Sequence, residues 1–186
     1  MSDLKQAIQR EYLKCAQDPV HFMRKYCTIQ HPTKGKVKFD LYPYQEKCLT
    51  EFKDNRYNII LKARQLGIST LSAGYALWMM LFQNDKNILV IATGKDTAKN
   101  LVTKVRVMYE GLPQWLKTNT EEINKLSLRF KNGSQIKLSL LILDEAAFID
   151  KIDTIWTAAQ QTLATGGGCI ALSTPNGVGN WFHKQW

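Results

Sequence analysis

The sequence predicts an α/β fold with a mostly parallel central sheet flanked by helices, preceded by an N-terminal helical appendage over residues 1–40. Three observations carry that prediction. From Tyr57 onward, short apolar runs of strand length alternate with longer segments of helical periodicity, as strand–helix–strand crossovers require. A basic, glycine-containing junction, Lys62 to Thr70, lies between the first of these strands and the first of these helices. A later apolar run, Leu140 to Leu143, ends in two adjacent carboxylates, Asp144 and Glu145.

Each element follows from its local pattern. Leu4, Ile8 and Tyr12 share one helical face, and Asp18-Pro19 opens a second helix with an N-cap residue followed by proline in the first turn. Thr33 to Lys38 is polar and turn-forming. Pro43 begins a helix with Cys48, Leu49 and Phe52 at helical spacing, and residues 41–186 are expected to form the core. Tyr57 to Leu61 reads as a strand, Ser69 to Phe82 as an apolar helix and Ile88 to Ala92 as a strand. Ala98, Leu101, Val102, Val105 and Tyr109 then line one side of another helix.

Leu126 to Phe130 and Ser134 to Leu138 alternate in polarity on either side of Lys131-Asn132-Gly133, an Asn-Gly turn that predicts a hairpin. The strand Leu140 to Leu143 follows so closely that a crossover of a dozen residues cannot intervene. The expectation is therefore a loop deleted from the chain, or unseen in its structure, between Leu138 and Ser139. A helix carrying Ile152, Ile155, Trp156 and Leu163 leads through Gly166-Gly167-Gly168 into a last strand, Cys169 to Ser173.

With 186 residues, 45% of them hydrophobic, the chain suits one core rather than two generous domains. No apolar run reaches the ~20 residues of a membrane span, and the first six residues carry charge where a signal peptide would be apolar. A soluble, intracellular protein with no membrane partner is expected. Cys15, Cys27, Cys48 and Cys169 form no metal-ligand spacing and read as packed thiols. The formal charge of +9 suits a polyanionic partner, and an ordinary basic protein shares it.

The junction Lys62-Ala63-Arg64-Gln65-Leu66-Gly67-Ile68-Ser69-Thr70 approximates the phosphate-binding pattern G-x-x-x-x-G-K-[ST]. Gly67 stands at the second glycine, where a missing Cβ lets backbone N–H groups approach phosphate oxygens at a helix start. Ser69 stands where a hydroxyl would ligate magnesium. The usual lysine position holds Ile68 and the first glycine position holds Lys62, so Lys62 is the natural substitute cation. Arg64, within the loop, is placed to stabilise transition-state charge as an arginine finger in cis. Alone, this stretch is equally well an ordinary basic turn.

Leu140 to Glu145 changes the balance, because it has the Walker B arrangement, with acids at the carboxyl end of a strand where α/β sheets bind ligands. Asp144 would hold magnesium and Glu145 would polarise the attacking water. Ser173, Thr174 and Asn176 follow the last strand, placed either as a γ-phosphate sensor or as a plain Pro-Asn-Gly turn. Tyr44 and Gln45 offer stacking and a two-way amide for an adenine edge, and would look the same at a packed helix start. Together these parts predict a P-loop NTPase of the RecA/ASCE-like class.

Taken in order, Tyr44-Gln45, Lys62 to Thr70, Leu140 to Ile149 and Ser173 to Gly177 resemble the large terminase subunits of tailed bacteriophages. Arg64-Gln65-Leu66-Gly67, Leu143 to Ile149 and Thr174-Pro175-Asn176-Gly177 are the most similar stretches. The resemblance implies an ATP- and Mg2+-dependent motor that moves double-stranded DNA, as a homo-oligomeric, pentameric ring on a portal protein with a small terminase subunit as partner. It implies a place in the host cytoplasm, transiently docked on the procapsid. It also implies Arg64 as cis finger, Gln45 as adenine contact, Asp144 as metal ligand, Glu145 as catalytic carboxylate and Ser173-Thr174 as coupling motif. Ile68 departs from the family's usual lysine, and the segment around Leu138 and Ser139 is short against a polar, arginine-containing loop. The family's C-terminal nuclease needs an acidic cluster that does not occur before Trp186, so ATPase activity without DNA cleavage is expected.

Two other readings stay open from the residues alone. A helicase-like remodeller shares these motifs and needs a second motor domain, for which the chain has no room. A degenerate nucleotide-binding or inactive DNA-binding module fits Ile68 and sits badly with the intact acids. Lys34, Lys36 and Lys38, or the helix from Lys95 to Arg106, are candidates for DNA contact, and a solvated face explains either group equally.

Overall fold

The computed structural model describes residues 2–31, 33–84, 86–117, 120–123, 128–130 and 138–186. Helices α1 (Ser2–Gln17) and α2 (Pro19–Tyr26) are separated by Asp18, whose side chain accepts from Val20 N–H at 2.8 Å as the N-cap of α2. Strands β1 (Thr28–His31) and β2 (Gly35–Lys38) form a small antiparallel hairpin. The polar reading of Thr33 to Lys38 therefore covers a turn and a strand, whose alternating exposure has only Val37 as its apolar element. Helix α3 (Pro43–Asp54) follows.

The centre is a four-stranded, wholly parallel sheet in the order β3 (Tyr57–Leu61), β8 (Gly168–Ser173), β7 (Leu138–Asp144), β4 (Asn87–Ala92). Its helices are α4 (Ile68–Phe82), α5 (Lys95–Gly111) and α6 (Ile152–Leu163), with the short α7 (Trp181–Gln185) at the end. The α/β expectation holds, and each strand and helix predicted for the sheet region is found within a residue or two, apart from the second hairpin strand. That strand and its Asn132-Gly133 turn lie outside the described residues except for Leu138. The first hairpin strand is present as β6 (Leu128–Phe130), paired antiparallel with β5 (Thr120–Ile123).

The expectation of an unseen loop between Leu138 and Ser139 is overturned. β7 runs through both residues, and the register against β4 slips there by one, with Leu138 opposite Asn87 and Leu140 opposite Ile88. Ser139 is the extra residue of a β-bulge, and its Oγ accepts from Asn87 N–H at 3.3 Å.

Alternation along the strands divides the core. Leu140, Ile142, Ile170 and Leu172 face one side with α4 and α5, whereas Leu141, Leu143, Cys169 and Ala171 face the other with α6 and α7. Helix α4 is buried without interruption from Leu71 to Met79, as befits a helix apolar all round. Cys15, Phe22, Met23 and Cys27 join its cluster, and Trp78 Nε1 donates to Cys15 O at 2.8 Å. The sheet face and the N-terminal helices thus sandwich α4, which fixes the direction of its amino end toward the site.

Candidate active site

Because the four central strands run in one direction, their carboxyl ends open at one edge. There β3 passes into Lys62, β8 into Thr174, β7 into Glu145 and β4 into Thr93, around a cleft of about 800 Å³. Lys62, Arg64 to Thr70, Glu145 and Thr174 line it, as the motif reading requires. Ala63, Asp144, Ser173 and Asn176 sit outside that lining, and so do Tyr44 and Gln45.

Lys62 leaves the sheet with its N–H donating to Ser173 O at 3.0 Å. Gln65 (φ 63°) and Gly67 (φ 72°) then turn the chain through left-handed conformations into α4. No side chain caps α4, so its first N–H groups stay available at the positive end of the helix dipole. The loop is braced from behind: Tyr44 OH and Gln45 Nε2 both donate to Leu66 O, at 2.9 and 3.0 Å, and Gln45 Oε1 accepts from Tyr42 N–H at 3.1 Å. Gln45 is only 2% exposed.

Glu145 is the most heavily engaged group. Its backbone is left-handed (φ 56°), a costly conformation for a residue with a Cβ, and it carries the carboxylate to the cleft. Oε1 accepts from Lys62 Nζ at 2.6 Å; Oε2 accepts from Thr174 N–H at 3.0 Å and Thr174 Oγ1 at 3.1 Å. Burial pushes this carboxyl up, but the Lys62 ammonium and the Thr174 donors outweigh it and leave it below its ordinary value. It is ionised at neutral pH. Asp144 is the reverse: burial raises its carboxyl, opposed chiefly by Ser69 Oγ, which donates to Oδ1 at 3.1 Å.

Behind these groups, Ser173 Oγ donates to Thr174 O at 2.8 Å and accepts from Ala147 N–H at 3.1 Å, while Asn176 Nδ2 donates to Ala147 O at 2.8 Å. The turn after β8 is thereby tied to the turn that carries Glu145.

Thr93 and Lys104 also line the cleft, and motif reading missed both. Lys104 lies within the Lys95 to Arg106 stretch considered for DNA contact, yet the fold turns it inward, flanked along α5 by the buried Leu101, Val105 and Met108. That helical spacing was the available signal.

Solved structures share this fold. The large terminase of bacteriophage HK97 superposes with a TM-score of 0.61 at 18% identity, covering 86% of this chain and 37% of that one. The large terminase of a thermophilic bacteriophage, in complex with ATP-γ-S, gives 0.61 at 17% identity over 79% of this chain and 41% of its own. An arginine-to-alanine mutant of the Thermus phage P74-26 large terminase ATPase domain gives 0.55 at 22% identity, over 78% and 69%. The chain thus spans roughly two fifths of the HK97 protein and of the terminase solved with ATP-γ-S. The family model described as "Terminase large subunit, T4likevirus-type, N-terminal" matches residues 59–186, from the first central strand to the last helix, and the chain belongs to that family.

Proposed function

We propose that this chain is the ATP-hydrolysing motor of a DNA-packaging machine, coupling nucleotide turnover to movement of double-stranded viral DNA into a procapsid. One observation carries the reading: an uncapped loop, the Ser69 hydroxyl with Asp144 behind it, and an ionised carboxylate gripped by Lys62 and Thr174 come together at one cleft. The thermophilic phage terminase's complex with ATP-γ-S supports a nucleoside triphosphate as occupant.

Ser69 Oγ and Asp144 Oδ1, 3.1 Å apart, are hard oxygen donors of the kind magnesium takes, and would hold it together with phosphate oxygens. When bound, the ion would neutralise charge on the transferring phosphoryl group. The loop N–H groups and the start of α4 cradle the phosphates. Lys62, 7% exposed at its side chain, lines the cleft with its ammonium on Glu145. Incoming phosphate oxygens compete with Glu145 for its ammonium, which releases Oε1 to accept a proton from the attacking water. Thr174 retains Oε2 and transmits the change to β8. Arg64 stabilises the charge that builds on the γ-phosphate, and Tyr44 and Gln45 support the adenine side through their grip on Leu66.

A pentameric ring on a portal protein, with a small terminase subunit as partner, belongs to the same proposal. The test is Mg2+-dependent ATP hydrolysis and nucleotide affinity of the wild type and Glu145→Gln, followed by DNA encapsidation with procapsids. The variant should bind nucleotide, lose roughly 100-fold or more in turnover and package no DNA. Undiminished turnover removes Glu145 from the mechanism, and packaging without turnover removes the coupling.

A further inference from the structure

The cleft holds a third cation that the motifs leave without a task. Lys104 enters from α5, on the β4 side, whereas Lys62 and Arg64 belong to the loop that follows β3 at the opposite edge of the sheet. Among the described residues Lys104 forms no ion pair, and the charged groups that act on it are Asp144 and Lys62. A half-buried ammonium without a partner is costly, and an anion arriving in the cleft would offset that cost.

The charge balance points the same way. Lys62 is already matched by Glu145 at 2.6 Å, and Ile68 occupies the position from which a lysine ordinarily reaches the β- and γ-phosphates. Against a triphosphate and the carboxylates Asp144 and Glu145, the loop offers only Lys62 and Arg64. The reacting phosphate must lie beside Glu145 and Ser69, which line the same cleft as Lys104.

We propose that Lys104 contacts the terminal phosphate of the bound nucleoside triphosphate, supplying from α5 the charge that Ile68 does not supply from the loop. The proposal rests on the nucleotide reading above and deepens it: Lys104 makes the cleft select triphosphate over diphosphate. It also removes Lys104 from any DNA-contacting face of α5.

The experiment compares the affinities of ATP-γ-S and ADP, each with Mg2+, for the wild type and for Lys104→Ala, Lys104→Met and Lys104→Arg. Lys104→Met keeps the aliphatic stem, so a packing defect is separated from a lost charge. Lys99→Ala, at an exposed lysine paired with Asp96, controls for net charge. Lys104→Ala and Lys104→Met should weaken ATP-γ-S binding roughly 10- to 100-fold with ADP changed less than about threefold, and Lys104→Arg should restore most of the loss. Equal weakening of both nucleotides, or of neither, overturns the assignment of Lys104 while leaving the nucleotide site intact. A wild type that binds neither nucleotide overturns the site and the assignment together.

Discussion

Gly67→Ala would test the phosphate loop at the point where its geometry is tightest. An added Cβ would lie 2.8 Å from Gln45 Nε2, in a backbone conformation (φ 72°) that side-chain-bearing residues disfavour. The left-handed conformation costs about 1–2 kcal/mol. To relieve the contact, the buried Gln45 amide must withdraw from Leu66 O, a hydrogen bond worth about 0.5–1.5 kcal/mol, leaving Tyr44 OH to hold that carbonyl. The sum, about 1.5–3.5 kcal/mol, falls on the loop proposed to hold the nucleotide and predicts affinity roughly 10- to 300-fold weaker. A double-mutant cycle separates the parts, read by nucleotide-binding isotherms with thermal unfolding alongside. Introduced on top of Gln45→Ala, Gly67→Ala should cost only the backbone share, because the hydrogen bond it would break is already gone. Full additivity would refute the proposed clash, and wild-type affinity in Gly67→Ala would refute the loop as the phosphate site.

Further outcomes follow from other contacts. Glu11 Oε1 accepts from Lys25 Nζ, His21 Nε2 and Tyr26 OH, and these, Lys25 foremost, hold its carboxyl at about 2 against an ordinary 4.5. Because the folded value is depressed, the stabilisation is complete above about 4.5 and lost as pH falls toward about 2. Glu11→Gln should therefore lower the unfolding midpoint at pH 7, and its deficit against wild type should shrink through that window. Gly168→Ala would place a Cβ 2.6 Å from Arg56 O, a backbone atom that also accepts from Cys169 N–H. It should destabilise by about 1–3 kcal/mol in denaturant titrations, and an unchanged midpoint would show that β3 and β8 can separate there without penalty. Trp78→Phe deletes the donor to the Cys15 carbonyl in a buried setting and should cost about 1–3 kcal/mol by the same titration.

The sequence by itself determined the sheet-building elements, the loop and the acid pair, because these are local signals. Periodicity marks Tyr57–Leu61 or Ile152–Leu163 without knowledge of their neighbours, and a phosphate loop must combine glycine, hydroxyl and cation within one turn. What depends on separated segments was decided only in three dimensions. The hairpin β1–β2 carries little apolar pattern, and the bulge at Ser139 exists only as a relation between β7 and β4. Gln45, identifiable as a residue of interest, became a buried brace for Leu66 because α3 sets it beneath the loop. Lys62 and Glu145, 83 positions apart, become one charge pair, and Lys104 becomes part of the cleft rather than of a solvated face. The physical reason is common to all of them: backbone propensity acts over a few residues, whereas hydrogen bonding, desolvation and charge pairing depend on what the folded chain brings within a few ångströms.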